Sequence, residues 1–513
     1  MGSGKTTVGE DLARRMGVPF VDLDALISEK SGASIPEIFR CAGQEAFRAL
    51  EDSALRDLAA GGDPSCIVAT GGGLPVNPLN RKLMKACGCI VYLKSSFENL
   101  AGRIPDDGSR PLWCSDARGL MEARTPFYED ADLVKDVVGR TIEDISREIL
   151  EALPALPHPV GVILPDNPYP VHIGRGIFGK LASLLERHVR PEGLFALVDE
   201  NVLKHHRRAV KEALKGCTAH LMAVPSGEQS KSMAFLNTVL DAMFARRVNR
   251  QWVCLAVGGG VAGDLAGFAA SVYMRGIPVV QAATTLLAQV DSGIGGKTGV
   301  NNAYGKNLIG TFHQPLMVVS DVDFLATLGG VQLRSAMAEV VKYGIIMDRP
   351  LFEYLEAGPP FDYARIVQMC AMDKARVVAR DEREGGLRRT LNFGHTLGHA
   401  VEKSTGYALS HGQAVAVGMA FASRLSHARG MLPPGDLKRI MNLMTREKLL
   451  PQGLVLPRPA EVAEALQSDK KGREGGVHFV LTPSIGGVSV QKLTEIEVLE
   501  AYQEFADGYS NML

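Results

Sequence analysis

The sequence predicts an α/β protein in two joined parts, each built on parallel strands with crossover helices, the second part closed by a helical segment. Three observations carry this prediction. Short apolar runs alternate with helix-period stretches over residues 1–152. Leu153-Pro-Ala-Leu-Pro-His-Pro159 then places three prolines where neither a helix interior nor a central strand accommodates them, so 153–159 reads as a linker. Beyond it the alternation resumes over 160–328 and gives way to helix-period patterns over 329–513. The expected domains are therefore 1–152, 160–328 and 329–513.

The elements follow in order. Val8 to Met16 has helical spacing, and Pro19-Phe-Val-Asp-Leu-Asp24 reads as a short strand ending in alternate carboxylates. Glu45 to Leu58 and Thr141 to Leu153 read as helices; Cys66 to Thr70 and Ile90 to Leu93 read as strands. After the linker, Leu194 to Val198 and Val253 to Val257 are continuous apolar runs, the signature of strands buried on both faces. No internal repeat interrupts this order.

Composition excludes several classes. In 513 residues, 46% are apolar and 22% charged, as in folded globular chains. A net charge of -1 leaves no electrostatic footprint for nucleic acid or an anionic membrane, so anion binding has to be local. No apolar stretch reaches the roughly 18 residues of a membrane span, and no apolar region follows a basic N-terminus as in a signal peptide. The eight cysteines form no CxxC pair. Cys87 and Cys89 are expected as buried thiols, and the whole pattern suits a reducing cytoplasm. Glycine is in excess, 55 residues, which points to sharp turns and close backbone approach to ligands.

Gly2-Ser-Gly4-Lys5-Thr6-Thr7 is the end of a phosphate-binding loop, where backbone N–H groups, a lysine and a hydroxyl meet phosphate and Mg²⁺ at a helix start. The first glycine of that pattern, and the strand feeding it, fall before Met1. The expectation is a start further upstream, with Met1 an internal methionine of the loop, or else a weakened kinase domain. Asp22 and Asp24 can hold Mg²⁺ and a hydroxylated substrate. Gly71-Gly72-Gly73 follows a strand, and Arg48, Arg110 and Arg124 stand among Pro, Gly and aromatic neighbours.

As a set these residues closely resemble the shikimate kinase family: Gly-Ser-Gly-Lys-Thr-Thr, Val-Asp22-Leu-Asp24, Phe47-Arg48-Ala-Leu-Glu51, the glycine triplet, Ser-Arg110-Pro-Leu, and Arg124-Thr-Pro-Phe-Tyr128. The resemblance covers about 1–150 and implies a parallel-sheet kinase fold lacking its first strand. It also implies Mg-ATP on Gly2, Gly4, Lys5, Thr6 and Thr7, with Thr6 and Asp22 in the magnesium shell. Asp24, Arg48, Gly71, Gly72, Gly73 and Arg124 would hold shikimate, Asp24 beside the attacking hydroxyl, and Arg110 would close over the phosphates. The family usually has Glu where Gln44 stands.

In the second part, Val253-Cys-Leu-Ala-Val-Gly258-Gly259-Gly260 is a strand entering a glycine turn. Backbone amides there can meet a pyrophosphate, and Asp264 is expected to cap the helix that follows. Asp199, at the end of an earlier strand, can hold ribose hydroxyls. His395 and His399 lie four apart, on one helix face, and spacing alone names both as metal ligands. His411 and Glu339 complete a set suited to Zn²⁺ with an open position. A core histidine beside a capping one is the plainer reading. Arg275, Lys297, Lys306, Asn307, Lys342, Lys374, Arg388, Asn392 and Lys470 crowd the same part and point, together, to an inward anion site.

Here the chain resembles the 3-dehydroquinate synthase family over about 160–505. The residues are Tyr169-Pro-Val-His-Ile-Gly, Pro225-Ser-Gly-Glu228-Gln-Ser-Lys231, Gly258 to Asp264, Gly296-Lys297-Thr-Gly-Val-Asn301, Ala338-Glu339-Val-Val-Lys342-Tyr-Gly, Asp381-Glu-Arg-Glu384 and Leu391-Asn-Phe-Gly-His-Thr-Leu-Gly-His399. The resemblance implies Zn²⁺, or another divalent metal, on Glu339, His395 and His411, and makes His399 a neighbour of the substrate phosphate. It implies NAD on Asp199, Asn201, Glu228, Lys231, Gly259, Gly260, Asp264, Thr284, Thr285 and Asp291, with Lys306 beside them. Lys297, Asn307, Lys342, Lys374, Arg388, Asn392 and Lys470 would hold a phosphorylated heptulosonate, and Arg275 would reach in from the partner of a homodimer formed through this part. Gln413 departs from the family's His-Gly-Glu, and removing that negative charge is expected to alter metal affinity modestly. The implied whole is a bifunctional enzyme of the shikimate pathway. The alternative is a metal-dependent polyol dehydrogenase carrying an inactive, partner-binding phosphate-loop module.

Overall fold

The computed structural model describes residues 2–61, 66–103, 116–406, 408–469 and 477–509. The chain forms two compact units, one from Met1–His172 with Ser183–Arg190, the other from Ile173–Ala182 with Pro191–Leu513. Arg110 and Lys470 lie outside the described residues.

The first unit runs α1 (Lys5–Met16), β1 (Phe20–Asp22), α2 (Leu23–Ser31), α3 (Ile35–Ala60), β2 (Ile67–Ala69), α4 (Pro78–Cys87), β3 (Val91–Lys94), α5 (Phe97–Ala101), α6 (Ala117–Glu129), β4 (Leu133–Asp136), α7 (Ile142–Ala152) and β5 (Val160–Val162). Local chemistry sets the boundaries. Gly4, at φ 83°, turns the chain into α1 in a conformation that favours glycine. Ser34 and Glu37 form a reciprocal capping box at the start of α3. Thr141 caps α7, whose Ile145 and Ile149 bury against Val8, Leu12 and Leu93. Four of these strands make two parallel pairs, β1 with β2 and β3 with β4.

The stretch 183–190 belongs to this unit through Arg187. Its guanidinium forms a two-toothed pair with Asp132 and donates to the carbonyls of Lys85 and Gly88 at 2.7 and 2.6 Å. Those acceptors satisfy a buried charge that would otherwise be costly. Beside it His172 is buried and His188 half-buried, and desolvation, aided by Arg187, pushes each imidazole down to about 3, so both are neutral. Cys87 departs from expectation: it is exposed at the last position of α4, and Cys89, in the turn before β3, is only half-buried.

β6 (Tyr169–Gly174) carries the chain from the first unit into the second. After α8 (Leu181–Glu186), whose residues from Ser183 on belong to the first unit, the second unit continues with β7 (Leu194–Asp199), α9 (Glu200–Ala213), β8 (Ala219–Val224), α10 (Met233–Ala245), β9 (Val253–Gly258), α11 (Gly260–Val272), β10 (Val279–Ala283), β11 (Lys297–Asn302), β12 (Gly305–Phe312) and β13 (Met317–Asp321). Strands β13-β10-β9-β7-β8 stand side by side in that order, each pair parallel. β9 is buried along its whole length, as its unbroken apolar run requires. β11 and β12 form an antiparallel hairpin.

The helical part comprises α12 (Gly330–Ile346), α13 (Arg349–Ala357), α14 (Tyr363–Arg380), α15 (His395–Ser404), α16 (His411–Ala428), α17 (Pro434–Arg446), α18 (Pro459–Asp469) and α19 (Glu495–Tyr509), with an antiparallel pair, β14 (Val477–Leu481) and β15 (Ser489–Leu493), set among them. One apolar core joins α12, α14, α15 and α16. Gly398 and Gly418 let α15 and α16 approach so closely that an added Cβ on either would meet the backbone of the other stretch.

Candidate functional site

In the first unit the phosphate loop and the paired carboxylates converge on a cavity of about 720 Å³. Gly2 to Thr7, Asp22, Asp24, Arg48, Gly71, Gly72, Gly73 and Arg124 all line it, as do residues of β2 and β3. Thr6 donates its hydroxyl to Asp22 at 2.8 Å, and the other Asp22 oxygen accepts from the Asp24 amide at 3.0 Å, capping α2. A hydroxyl and a carboxylate already in contact at a helix start make a coordination edge suited to Mg²⁺. Arg48 pairs with buried Glu51, whose carboxyl is pushed up by burial and drawn back by Arg48. Gly71 faces Glu51 and Asp24, and Gly73 faces Arg48, so a Cβ at either position would have to displace the end of that side chain. Tyr128 donates to the Gly72 carbonyl at 2.5 Å, tying α6 to the triplet.

In the second unit three ligand atoms gather. Glu339 on α12, His395 at the first position of α15 and His411 at the first position of α16 offer atoms all within 4.8 Å of one another. Glu339 Oε1 is buried without a hydrogen-bond partner, facing His395 Nε2 at 3.3 Å and His411 Nε2 at 3.7 Å. An orphaned carboxylate oxygen between two imidazoles is a donor set that a divalent metal satisfies. Burial opposes charge on His411, yet Glu339 and Glu402 hold it up to about 9. His399, which spacing had grouped with His395, is exposed and its ring lies edge-on to His395 at 5.4 Å.

Buried cations surround this group. Lys342 pairs with Glu339 one turn away on α12. Lys374 donates to the carbonyl and carboxylate of Asp291 at 2.5 and 2.6 Å. Burial drives the Lys374 ammonium down to about 8, Asp291 partly restoring it. Asp291 itself sits at about 2, since Lys374 and Lys342 outweigh its burial. Arg388 is 2% exposed and donates to the Glu382 and Gly295 carbonyls at 2.6 and 3.1 Å. Gly295, at φ 95°, has the Arg388 guanidinium where a Cβ would project. Lys297 reaches Glu384 at 2.6 Å, and Asn392 points to the same carboxylate.

The nucleotide-side residues form a second cluster. Asp199 caps α9 and accepts from Ser226 at 2.9 Å, and Asn201 donates to Ser226 at 2.8 Å. Asn301 donates to Glu228 at 2.8 Å. Lys231 is buried between Asp264 and Asn307. Asp264 is therefore no helix cap: α11 starts at Gly260 with Gly259 before it, and Asp264 turns from inside the helix to neutralise Lys231. Cβ positions on Gly259 and Gly260 would press on Thr285 and Ser292 at 3.0 Å. Thr284 is buried, and the Thr285 hydroxyl accepts from the Ala288 amide. Lys306 lies at Glu402, 2.8 Å away. Arg275 is exposed in the turn after α11, at φ 68°.

Sequence reasoning missed Glu51, Glu384, Glu402 and Ser226. Glu51, Ser226 and Glu384 stood inside the recognised motifs, whereas Glu402 acquires its contacts only through tertiary packing. Gln413 reciprocates the Ser410 cap at the start of α16, so its amide serves the helix that presents His411.

Both parts of the chain resemble known proteins. Residues 1–154 match the shikimate kinase family, 221–335 the 3-dehydroquinate synthase N-terminal family and 336–472 the 3-dehydroquinate synthase C-terminal family. The chain is 40% identical over 349 residues to the 3-dehydroquinate synthase of Caldanaerobacter subterraneus subsp. tengcongensis, covering 66% of this chain and 98% of the relative. It is 43% identical over 342 residues to that of Symbiobacterium thermophilum, covering 64% of this chain and 94% of the relative. Among solved structures, the 2-epi-5-epi-valiolone synthase of Streptomyces hygroscopicus subsp. jinggangensis, with NAD⁺ and Zn²⁺ bound, is 31% identical with a TM-score of 0.60, covering 66% of this chain and 97% of that one. The chain belongs to the 3-dehydroquinate synthase family and carries a shikimate kinase domain at its N-terminal side.

Proposed function

We propose that the synthase part converts 3-deoxy-arabino-heptulosonate 7-phosphate to 3-dehydroquinate and phosphate, and that the kinase domain phosphorylates shikimate with Mg-ATP. The observation that carries the first activity is the convergence of Glu339, His395 and His411 amid buried Lys342, Lys374 and Arg388. Bound there, NAD⁺ supplies a hydride acceptor and Zn²⁺, or another divalent metal, a Lewis acid for an alcohol oxygen. The chain's own residues do the rest. Lys342, Lys374 and Arg388 hold carboxylate, hydroxyl and phosphate groups by charge. Lys297, Asn307, Asn392 and Lys470 complete the substrate shell, and His399 stands by the phosphate. Asp199, Glu228, Lys231, Asp264 and the Gly259-Gly260 turn orient the dinucleotide. Buried cations favour a phosphorylated acid over a neutral polyol, which offers them no charge.

In the kinase domain, Lys5 and the loop amides hold the ATP phosphates, and Thr6 with Asp22 holds Mg²⁺. Asp24, Arg48 and Arg124 position shikimate, so that catalysis is mainly orientation and charge neutralisation. The two activities belong to one biosynthetic route in the cytoplasm, and the synthase part acts as a homodimer. Product analysis tests the reading: phosphate and dehydroquinate should appear in equal amounts with no net NADH. Net NADH from a polyol, without phosphate release, would establish a dehydrogenase instead.

A further inference from the structure

The two histidines of the metal group are held differently at their outer nitrogens. His395 turns Nδ1 to the Phe393 carbonyl at 3.2 Å, which places the proton on Nδ1 and leaves Nε2 facing Glu339. His411 turns Nδ1 to Glu402 Oε2 at 3.6 Å, slightly beyond hydrogen-bond length, while its Nε2 faces Glu339. Glu402 lies on α15, on the neighbouring helix, and is 7% exposed. Its other oxygen accepts from Lys306 Nζ, on β12 of the hairpin, at 2.8 Å. A carboxylate behind a ligating imidazole sets its tautomer and ring orientation and raises its basicity.

We infer that Glu402 is the positioning residue of the metal centre, holding His411 with Nδ1 protonated and Nε2 presented to the metal, and itself held by Lys306. This rests on the proposal that Glu339, His395 and His411 are the ligands. A second geometry competes, because His399, Glu402 and His411 also offer atoms within 4.8 Å of one another. Lys306 favours the first: its ammonium already occupies one Glu402 oxygen and neutralises the carboxylate, so a second cation bound to Glu402 would meet a like charge. The Lys306 contact also joins the metal helices to the hairpin that carries Asn307, so the same carboxylate connects the two clusters of the site.

The test is Co²⁺ titration of the full chain after metal removal, followed by visible absorption and by unfolding of the metal-free protein. Glu402→Gln should weaken Co²⁺ binding by about 10- to 100-fold and shift the absorption bands, while the metal-free unfolding temperature stays unchanged. The wild type should bind one Co²⁺ per chain. Unchanged affinity in Glu402→Gln, or two Co²⁺ per chain in the wild type, overturns the inference. A loss of affinity matched by a loss of metal-free stability overturns it too. His411→Ala separates the levels: if it also binds Co²⁺ as the wild type does, the ligand reading itself fails. A measurement on the unmodified chain needs no variant. ¹⁵N spectra of the Zn²⁺-loaded protein should show the His411 ring protonated at Nδ1, and protonation at Nε2 would contradict the assignment.

Discussion

The two units support their sites differently. In the second, the glycine turn and its helix rest on β9, which is paired on both sides within a run of five parallel strands. In the first, the phosphate loop stands beside two separate two-stranded pairs, and among the described residues β2 and β3 share a cavity instead of a ladder. The electrostatics differ in the same sense. The buried charges of the second unit neutralise one another: Glu339 with Lys342, Asp291 with Lys374, Asp264 with Lys231. In the first unit Arg48 is likewise paired with buried Glu51, but Asp22, Asp24, Arg48 and Arg124 border a cavity of about 720 Å³. A preorganised site draws its geometry from the fold, whereas a cavity-bordered one draws part of its stability from what it binds.

The largest effect that can break this comparison is at Glu339. Glu339→Gln should abolish tight metal binding and lower phosphate release by more than about 100-fold, beyond the usual effect of an outer-shell partner. Shikimate phosphorylation should be untouched; a parallel loss of both would show that the sites are not independent. Next is Asp24→Asn, which should lower kcat for shikimate phosphorylation by about 100-fold, leaving dehydroquinate formation at the wild-type rate. An unchanged kcat would remove Asp24 from the reacting hydroxyl.

Ligand linkage comes third. Mg-ATP at a hundred times its Kd should add about 2.7 kcal/mol to the unfolding of the first unit and shift only that transition in calorimetry. A shift of the other transition would contradict the separation of the units. The smallest effect concerns Asp373 on α14, where burial, aided by Asp348, pushes the carboxyl up to about 8. The folded chain then holds a proton between about pH 4 and 8 that the unfolded chain has lost, so stability falls as pH rises through that window. Asp373→Asn should raise the melting temperature of the second unit by about 2–4 °C at pH 8 and by less at pH 5. An equal change at both pH values would mean that Asp373 carries no such proton.

Much of this was legible in the sequence because it is written locally. The phosphate loop, the helix from Thr141 and the unbroken apolar run of β9 follow from neighbouring residues. What escaped depends on distant packing. Spacing paired His395 with His399, but the atoms that converge with His395 come from Glu339 on α12 and His411 on α16. Asp264 looked like a cap because it follows a glycine turn, and only the buried Lys231 explains its direction. Glu402 carries no motif of its own, since its partners lie on β12 and at the start of α16.

One measurement bears most directly on the claim of two independent sites on one chain. The full-length protein is treated with a zinc-selective chelator in excess Mg²⁺, and both reactions are followed in the same sample. Phosphate release from the heptulosonate should vanish and return with Zn²⁺ or Co²⁺, while shikimate phosphorylation continues unchanged. Phosphate release that survives chelation, or phosphorylation that falls with it, would contradict the account.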